Sequence, residues 1–201
     1  MSDFWNTRWA EADPAYGDAP NDFLAEQADA IPAAGHVVCL ADGDGRNGAW
    51  LARQGFTVTG VDQSEVAVAR ANARGADPGC HGGYVAVTGD LSTWGLPACD
   101  AVVSVYAHLP PALRADVHAR AWEALRPGGV FILEAFEPAQ LTRESGGPRD
   151  EALLYTPDLL REDLAGTGAR FEVLRTATIL LSEGPYHIGP AEVVRMVARK
   201  P

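Results

Sequence analysis

The chain is 201 residues long, a length that predicts one domain able to fold without disulfide or metal staples. It carries 16 basic and 27 acidic residues, so its formal net charge of −11 repels phosphate backbones and argues against nucleic acid as a partner. A hydrophobic content of 47% is typical of a globular protein, and no apolar run approaches the ~18 residues of a membrane-spanning helix.

The three cysteines are odd in number and lack Cys-x-x-Cys spacing, which argues against a disulfide framework and against a metal site. The N-terminal residues show no basic stretch followed by an apolar one, so we expect no signal peptide. The expected location is therefore the cytoplasm. Neutral or cationic small molecules remain open as ligands, no membrane contact is expected, and the expected assembly is a monomer or a homodimer.

Hydrophobic periodicity divides the chain into helices and strands. The first 35 residues predict two helices joined by a loop, with Asn21 capping the second. From His36 onward, short apolar segments alternate with helical ones, several of which end at a glycine. Two β-rich stretches near the end flank a turn at 183–185 and are predicted to pair antiparallel. The predicted helices are 4–11, 21–30, 46–54, 64–74, 111–125 and 156–166, and the predicted strands are 37–41, 56–61, 83–88, 101–105, 130–135, 171–181 and 191–200.

This alternation predicts an α/β fold with a doubly wound, mostly parallel sheet covered by helices on both faces. We expect a single domain over 1–201, with a helical N-terminal lid over 1–35 and the sheet core over 36–201. A sheet of this type binds its ligand at the carboxyl ends of the strands, near the point where the strand order reverses. Functional side chains are therefore expected directly after the strands.

A glycine-rich loop follows the first predicted strand. Gly43, Gly45 and Gly48 satisfy the pattern G-x-G-x-x-G between a strand and a helix. Asp62 ends the second strand, about 20 residues after the first glycine, which is the spacing of a carboxylate that binds a ribose. Two ligand classes fit this frame: a dinucleotide and S-adenosylmethionine.

The charge of the loop favours S-adenosylmethionine. Asp42 and Asp44 would face the pyrophosphate of a dinucleotide, and two unit charges ~5 Å apart repel by about 3 kcal/mol at an effective dielectric of 20. The sulfonium and ammonium groups of S-adenosylmethionine would instead attract both carboxylates. An NAD-dependent oxidoreductase and a non-catalytic S-adenosylmethionine-binding protein stay open as alternatives.

Several segments together resemble the class I S-adenosylmethionine-dependent methyltransferases, and some resemble the small-molecule branch of tellurite-resistance and thiopurine type. The resemblance implies a Rossmann-like, seven-stranded sheet of order 3-2-1-4-5-7-6 with strand 7 antiparallel. It also implies methyl transfer from S-adenosylmethionine to a small molecule. The segments that carry the superfamily resemblance are 37–47, 60–64, 89–91, 100–108 and 125–129, and those that carry the branch resemblance include 104–110, 146–148 and 186–201.

The resemblance also implies which residues bind the cofactor. Gly43 and Gly45 let the backbone approach it because they lack a Cβ, and Asp62 binds the ribose hydroxyls. Asp90 and the Leu91 backbone read the adenine. The full predicted set is Tyr16, Asp42, Gly43, Gly45, Arg46, Asn47, Asp62, Gln63, Asp90, Leu91, Val105 and Tyr106.

Two positions depart from the family pattern. Cys39 stands where an acidic residue is usual, and Ala41 stands where glycine is usual. The first departure removes the usual partner of the methionine ammonium group, for which Asp42 is the candidate replacement. The second leaves slightly less room beside the cofactor.

The N-terminal segment resembles the family's cofactor-covering segment. Trp5, Trp9 and Tyr16 would form the lid, with Gly17 as a possible hinge. A lid excludes water and forms one wall of the acceptor pocket.

Methyl transfer needs mainly alignment and exclusion of water, because the donor carbon is already activated by the sulfonium. His108 and His187 are candidate bases near neutral pH. Arg46 and Arg149 are candidate cations for an oxyanion acceptor. The predicted catalytic residues are His108, His187 and Arg46, and the resemblance implies a chalcogen oxyanion or a thiol as acceptor.

Overall fold

A seven-stranded sheet organises the chain, whose computed structural model describes residues 2–11 and 14–201. The strands are β1 (His36–Leu40), β2 (Thr57–Asp62), β3 (Tyr84–Thr88), β4 (Cys99–Val105), β5 (Leu125–Phe136), β6 (Arg170–Ser182) and β7 (Ile188–Arg199). Their order is β3-β2-β1-β4-β5-β7-β6, and β7 is antiparallel to both of its neighbours. The predicted fold class, strand order and strand direction are confirmed.

The helices occur where the sequence predicts them. Asn21, Ser64 and Thr156 each cap a helix by accepting a hydrogen bond from the backbone amide three residues later. Several boundaries differ by one to three residues: the second helix ends at Gln27 and the last at Asp163, both earlier than predicted, and Gly75 is the last residue of its helix rather than the residue that follows it. The helices are α1 (Ser2–Glu11), α2 (Asp22–Gln27), α3 (Arg46–Arg53), α4 (Glu65–Gly75), α5 (Pro111–Ala124) and α6 (Pro157–Asp163).

The core forms two layers, because successive side chains of a strand point to opposite faces of the sheet. Val38 and Leu40 of β1 join a cluster that includes side chains of α5 and α6. Val37 and Cys39 join a second cluster that includes side chains of α2, α3 and α4. This burial fixes the sheet and leaves its carboxyl edge as the place where loops and polar side chains meet. No helix in the described part of the chain combines the length and the apolar character needed to span a membrane.

Candidate active site

The chain turns from β1 into α3 through a loop that has left-handed backbone at three positions. Gly43 and Gly45 have φ of 60° and 78°, and a Cβ on Gly43 would lie 2.5 Å from the Trp9 ring. Ala41 has φ of 48°, so the departure from glycine at this position places an L side chain in a conformation that it rarely adopts. The shape of the loop therefore requires glycine at 43 and 45, and Trp9 covers the loop.

Protein donors hold both loop carboxylates. The Tyr84 hydroxyl donates to Asp42 Oδ2 at 2.6 Å, and Arg74 Nη2 donates to Asp44 Oδ2 at 2.7 Å. Burial raises the pKa of Asp42 to about 7, although the hydrogen bond from Tyr84 opposes the rise. The structure therefore corrects the electrostatic prediction: Asp42 is partly neutral at pH 7, Asp44 is paired with a guanidinium, and neither carboxylate is held ready for a sulfonium.

Asp62 lies where the sequence predicts it, at the end of β2 and beside the loop. Its Oδ2 accepts from the Gly43 amide at 3.0 Å and its Oδ1 accepts from the Ser64 amide at 2.9 Å. Burial raises its pKa, and the backbone hydrogen bonds oppose that rise. Because a carboxylate has about four lone pairs, it can accept a further hydrogen bond beside those of the backbone amides.

The predicted adenine-side residues follow β2 and β3. Gln63 is half-buried directly after Asp62. Asp90 is exposed, and its Oδ1 accepts from the Ser92 amide and hydroxyl at 2.8 and 2.7 Å, so one of its oxygens is used within its own turn. Leu91 is buried, and its carbonyl accepts from Arg120.

Tyr106 follows β4 with an unusual backbone. It has φ of 54°, directly after Val105, the last residue of β4. Its hydroxyl donates to Glu134 Oε1 at 2.8 Å, and its ring stacks on Phe136 with 4.7 Å between the ring centroids. Burial raises its pKa well above the ordinary value, and the Glu134 carboxylate adds to the shift. The phenol is therefore neutral and fixed in orientation.

Glu134 joins several elements at the carboxyl edge. It is fully buried, and besides Tyr106 it accepts hydrogen bonds from Asn21 Nδ2 and Arg195 Nε, both at 2.6 Å. The backbone amide of Asn21 donates to Asn47 Oδ1 at 2.9 Å. Asn47 of the glycine-loop helix thus fixes the start of α2 instead of pointing to an open space.

His108 has both ring nitrogens engaged. Nδ1 lies 2.7 Å from the Leu153 carbonyl oxygen, to which it must donate, and Nε2 accepts from the Phe136 amide at 3.3 Å. Burial lowers its pKa to about 4, so the ring is neutral at pH 7. The structure does not support the predicted role as a base, because Nε2 would have to abandon its hydrogen bond before it could accept a proton.

His187 has a different environment. Its Nδ1 lies 3.2 Å from Glu183 Oε2, and Arg46 Nη2 donates to the same oxygen at 3.0 Å. Arg46 Nη1 also donates to the Ala19 carbonyl at 3.0 Å. The structure therefore brings together two of the three predicted catalytic residues, Arg46 and His187, and adds Glu183 between them.

Aromatic side chains from the N-terminal segment cover this group. The Tyr16 ring centroid lies 4.7 Å from that of His187, 5.3 Å from that of Trp9 and 5.7 Å from that of Tyr186. Trp9 is only 5% exposed, so the segment is packed rather than extended into solvent. Trp5, which lies about one turn before Trp9 in the same helix, is half-buried. The segment predicted as a lid thus lies against both the glycine loop and the β6–β7 hairpin.

Residues 37–129 match a family described as a methyltransferase domain, and this range runs from β1 into β5. Over this range, which is less than half of the chain, the sequence is that of a methyltransferase domain. The match agrees with the predicted class of enzyme and favours it over the dinucleotide alternative. S-adenosylmethionine is bound by proteins that share the fold, in agreement with the predicted cofactor. No curated protein matches the sequence significantly.

Solved structures share the fold of this methyltransferase domain. A structure concerned with conversion of a disulfide bond into a thioacetal group during echinomycin biosynthesis has a TM-score of 0.71, with 20% identity over 90% of this chain and 82% of that chain. TehB from Haemophilus influenzae has a TM-score of 0.72, with 18% identity over 90% of this chain and 62% of that chain. The glycopeptide N-methyltransferase MtfA, complexed with S-adenosylmethionine, has a TM-score of 0.67, with 22% identity over 92% of this chain and 96% of that chain.

The candidate site includes acidic residues that the sequence patterns do not single out. Glu134 is the one charged residue in the apolar segment 130–136. A charge buried in a strand requires partners, so this position alone could have indicated a polar cluster at the end of the strand. Glu183 is assigned by the sequence only to a turn. Its contact with Arg46 depends on the long-range packing of the hairpin on α3, which no local pattern encodes.

Proposed function

We propose that this chain transfers a methyl group from S-adenosylmethionine to a thiol of a small molecule. The donor, when bound, supplies a methyl group on a positively charged sulfur. The glycine loop and Asp62 would hold it, since the loop lacks side chains at 43 and 45 and the Asp62 carboxylate can accept a further hydrogen bond. We further propose that residues 2–11 and 14–20 cover the bound donor, because Trp9 already lies on Gly43 and must shift to admit it.

A thiol suits this site better than a chalcogen oxyanion because both predicted cations are already engaged. Arg46 is bound to Glu183 and to the Ala19 carbonyl. Arg149 is exposed, and its Nη1 donates to the Arg143 carbonyl at 2.7 Å. An oxyanion approaching His187 would meet the Glu183 carboxylate, and the nearby Arg46 guanidinium is already bound to that carboxylate. A neutral thiol meets no such repulsion, although it must lose a proton to become a good nucleophile.

The observation that carries the proposal is the position of His187 beside the methyltransferase site with one ring nitrogen held by Glu183. A neutral imidazole in this position can accept the proton of a thiol near neutral pH. The solved structure described by the conversion of a disulfide bond into a thioacetal group supports the choice of sulfur, because it associates this fold with sulfur chemistry. The cytoplasmic location expected from the cysteine content suits a thiol substrate and stays a prediction.

Release of S-adenosylhomocysteine tests this function. The purified protein is incubated with S-adenosylmethionine and a panel of small alkyl and aryl thiols, selenite and tellurite. The proposal predicts product release that depends on a thiol and exceeds the release with either oxyanion. Turnover with tellurite or selenite but with no thiol would contradict the choice of acceptor, and the lack of turnover with every acceptor would contradict the function.

A further inference from the structure

The hairpin between β6 and β7 holds a carboxylate and an imidazole against each other. The Glu183 amide donates to the His187 carbonyl at 2.9 Å, which closes the loop, and the side chains meet through Nδ1 and Oε2 at 3.2 Å. Gly184 has φ of 68°, and a Cβ there would lie 2.6 Å from the Ala15 carbonyl oxygen. The loop is therefore tight and packed against the N-terminal segment, so the relative placement of the two side chains is set by the backbone.

We infer that Glu183 is a positioning residue that fixes His187 as the base for the acceptor's proton, an inference that rests on the proposed function. An ionised carboxylate accepts hydrogen bonds and cannot donate one, so its contact with Nδ1 requires the proton of a neutral imidazole to be on Nδ1. The lone pair is then on Nε2. Within residues 2–11 and 14–201, no hydrogen-bond partner lies on Nε2. His187 therefore differs from His108, whose two nitrogens are both bound.

The charges around the pair keep both groups in the required states. Burial would raise the pKa of Glu183, but the hydrogen bond with His187 and the charge of Arg46 hold it below its ordinary value. Burial lowers the pKa of His187 and outweighs the opposing Glu183 carboxylate. The other titratable groups that face His187 are Tyr16, Tyr106, Glu134 and His108.

The proton and electron balance of the step follows from these positions. As the acceptor's sulfur forms a bond to the methyl carbon, its proton moves to Nε2 of His187. The carbon–sulfur bond of the donor breaks, and its electron pair remains on the donor sulfur. His187 becomes an imidazolium beside the Glu183 carboxylate, and it then returns the proton to solvent. The pair thus needs no reactant beyond the donor and an acceptor that carries an ionisable hydrogen.

Substitutions at Glu183 separate positioning from packing. Glu183→Gln keeps an oxygen that can accept from Nδ1 but removes the charge, whereas Glu183→Ala removes the contact. Glu172→Gln on the same hairpin is the control, because Glu172 binds Arg170 and Arg199 at the far end of β6. We expect the plateau of kcat/KM to fall at least tenfold in Glu183→Ala and less in Glu183→Gln, with the acid limb of the Glu183→Gln profile moved to lower pH. Glu172→Gln should keep the wild-type profile.

The tautomer of His187 gives a readout that does not depend on turnover. Nitrogen-15 NMR of the unliganded wild-type protein should show a protonated Nδ1 and an unprotonated Nε2 at neutral pH. The opposite tautomer, or a wild-type pH profile and plateau in both Glu183 variants, would overturn the inference even if S-adenosylmethionine and a thiol are turned over. The expected tautomer without any thiol-dependent turnover would instead overturn the proposed function.

Discussion

The two halves of the carboxyl edge differ in how their polar groups are satisfied. On the glycine-loop half, Asp42, Asp44 and Asp62 are all bound by donors of the protein itself. On the hairpin half, His187 has a partner on Nδ1 and, among the described residues, none on Nε2. A carboxylate bound by protein donors holds the shape of its loop, whereas a ring nitrogen with a free lone pair can accept a proton. We therefore propose that the loop half builds the donor site and that the hairpin half supplies the proton acceptor.

Replacing His187 with leucine has the largest expected effect, and the same substitution at His108 is its counterpart. His187→Leu should lower turnover by roughly 10²- to 10⁴-fold, the usual contribution of a general base, while S-adenosylmethionine binding is retained. Measured release of S-adenosylhomocysteine and calorimetric binding separate the two effects. Retention of wild-type turnover in this variant would remove the distinction between the two halves.

Asp42→Asn tests whether the loop half is held at an electrostatic cost. Its carboxyl has a folded-state pKa of about 7, whereas the same carboxyl in the unfolded chain titrates near the ordinary value of about 4. Because the unfolded chain loses this proton first, the free energy of unfolding of the wild type falls as pH rises from about 4 to 7. The variant lacks this loss. The difference between its free energy of unfolding and that of the wild type should therefore grow by up to about 1.4 kcal/mol per pH unit over this range. Urea titrations at several pH values measure the difference.

Asp77→Asn is the matched control, because the pKa of the exposed Asp77 is lowered by the Gly79 amide and Arg53. Its stabilising contribution is present above the ordinary pKa of the unfolded chain and is lost as pH falls. Above that pKa, the free energy of unfolding of Asp77→Asn should therefore lie below that of the wild type, which is the opposite sign to Asp42→Asn. A difference for Asp42→Asn that does not change with pH would show that its carboxyl titrates normally.

His108→Leu completes the histidine comparison with a smaller effect. It leaves the Leu153 carbonyl and the Phe136 amide without their partner, and unsatisfied buried groups cost about 1–3 kcal/mol each. The variant should unfold at a lower Tm while its turnover stays within a few-fold of the wild type at a temperature where it is folded. A loss of turnover comparable to that of His187→Leu would restore His108 as a base.

Ala41→Gly has the smallest expected effect. Glycine adopts the left-handed φ of 48° without strain, so the variant should gain up to about 1 kcal/mol of stability. Ala49→Gly makes the same substitution within α3, where glycine should instead cost about 1 kcal/mol. Thermal unfolding of the pair measures both signs, and destabilisation by Ala41→Gly would show that the turn is not strained.

The sequence predicted the fold well because its information is local and repetitive. Apolar strands, capping residues such as Ser64 and the glycines of the loop each determine their own short segment, and together they specify the sheet. The side-chain partners were predicted less well. Asp42 accepts a hydrogen bond from Tyr84, and His108 binds the backbone of residues distant in sequence. Both contacts depend on tertiary packing rather than on the spacing of residues in the sequence. The same holds for Glu183, which becomes part of the site only when the hairpin packs on α3.

Isothermal titration calorimetry with S-adenosylmethionine is the decisive measurement. We expect saturable binding to the wild-type protein, roughly tenfold or more weaker binding to Asp62→Ala because charged hydrogen bonds are lost, and no binding of NAD. Tight binding of NAD without any heat from S-adenosylmethionine would contradict it.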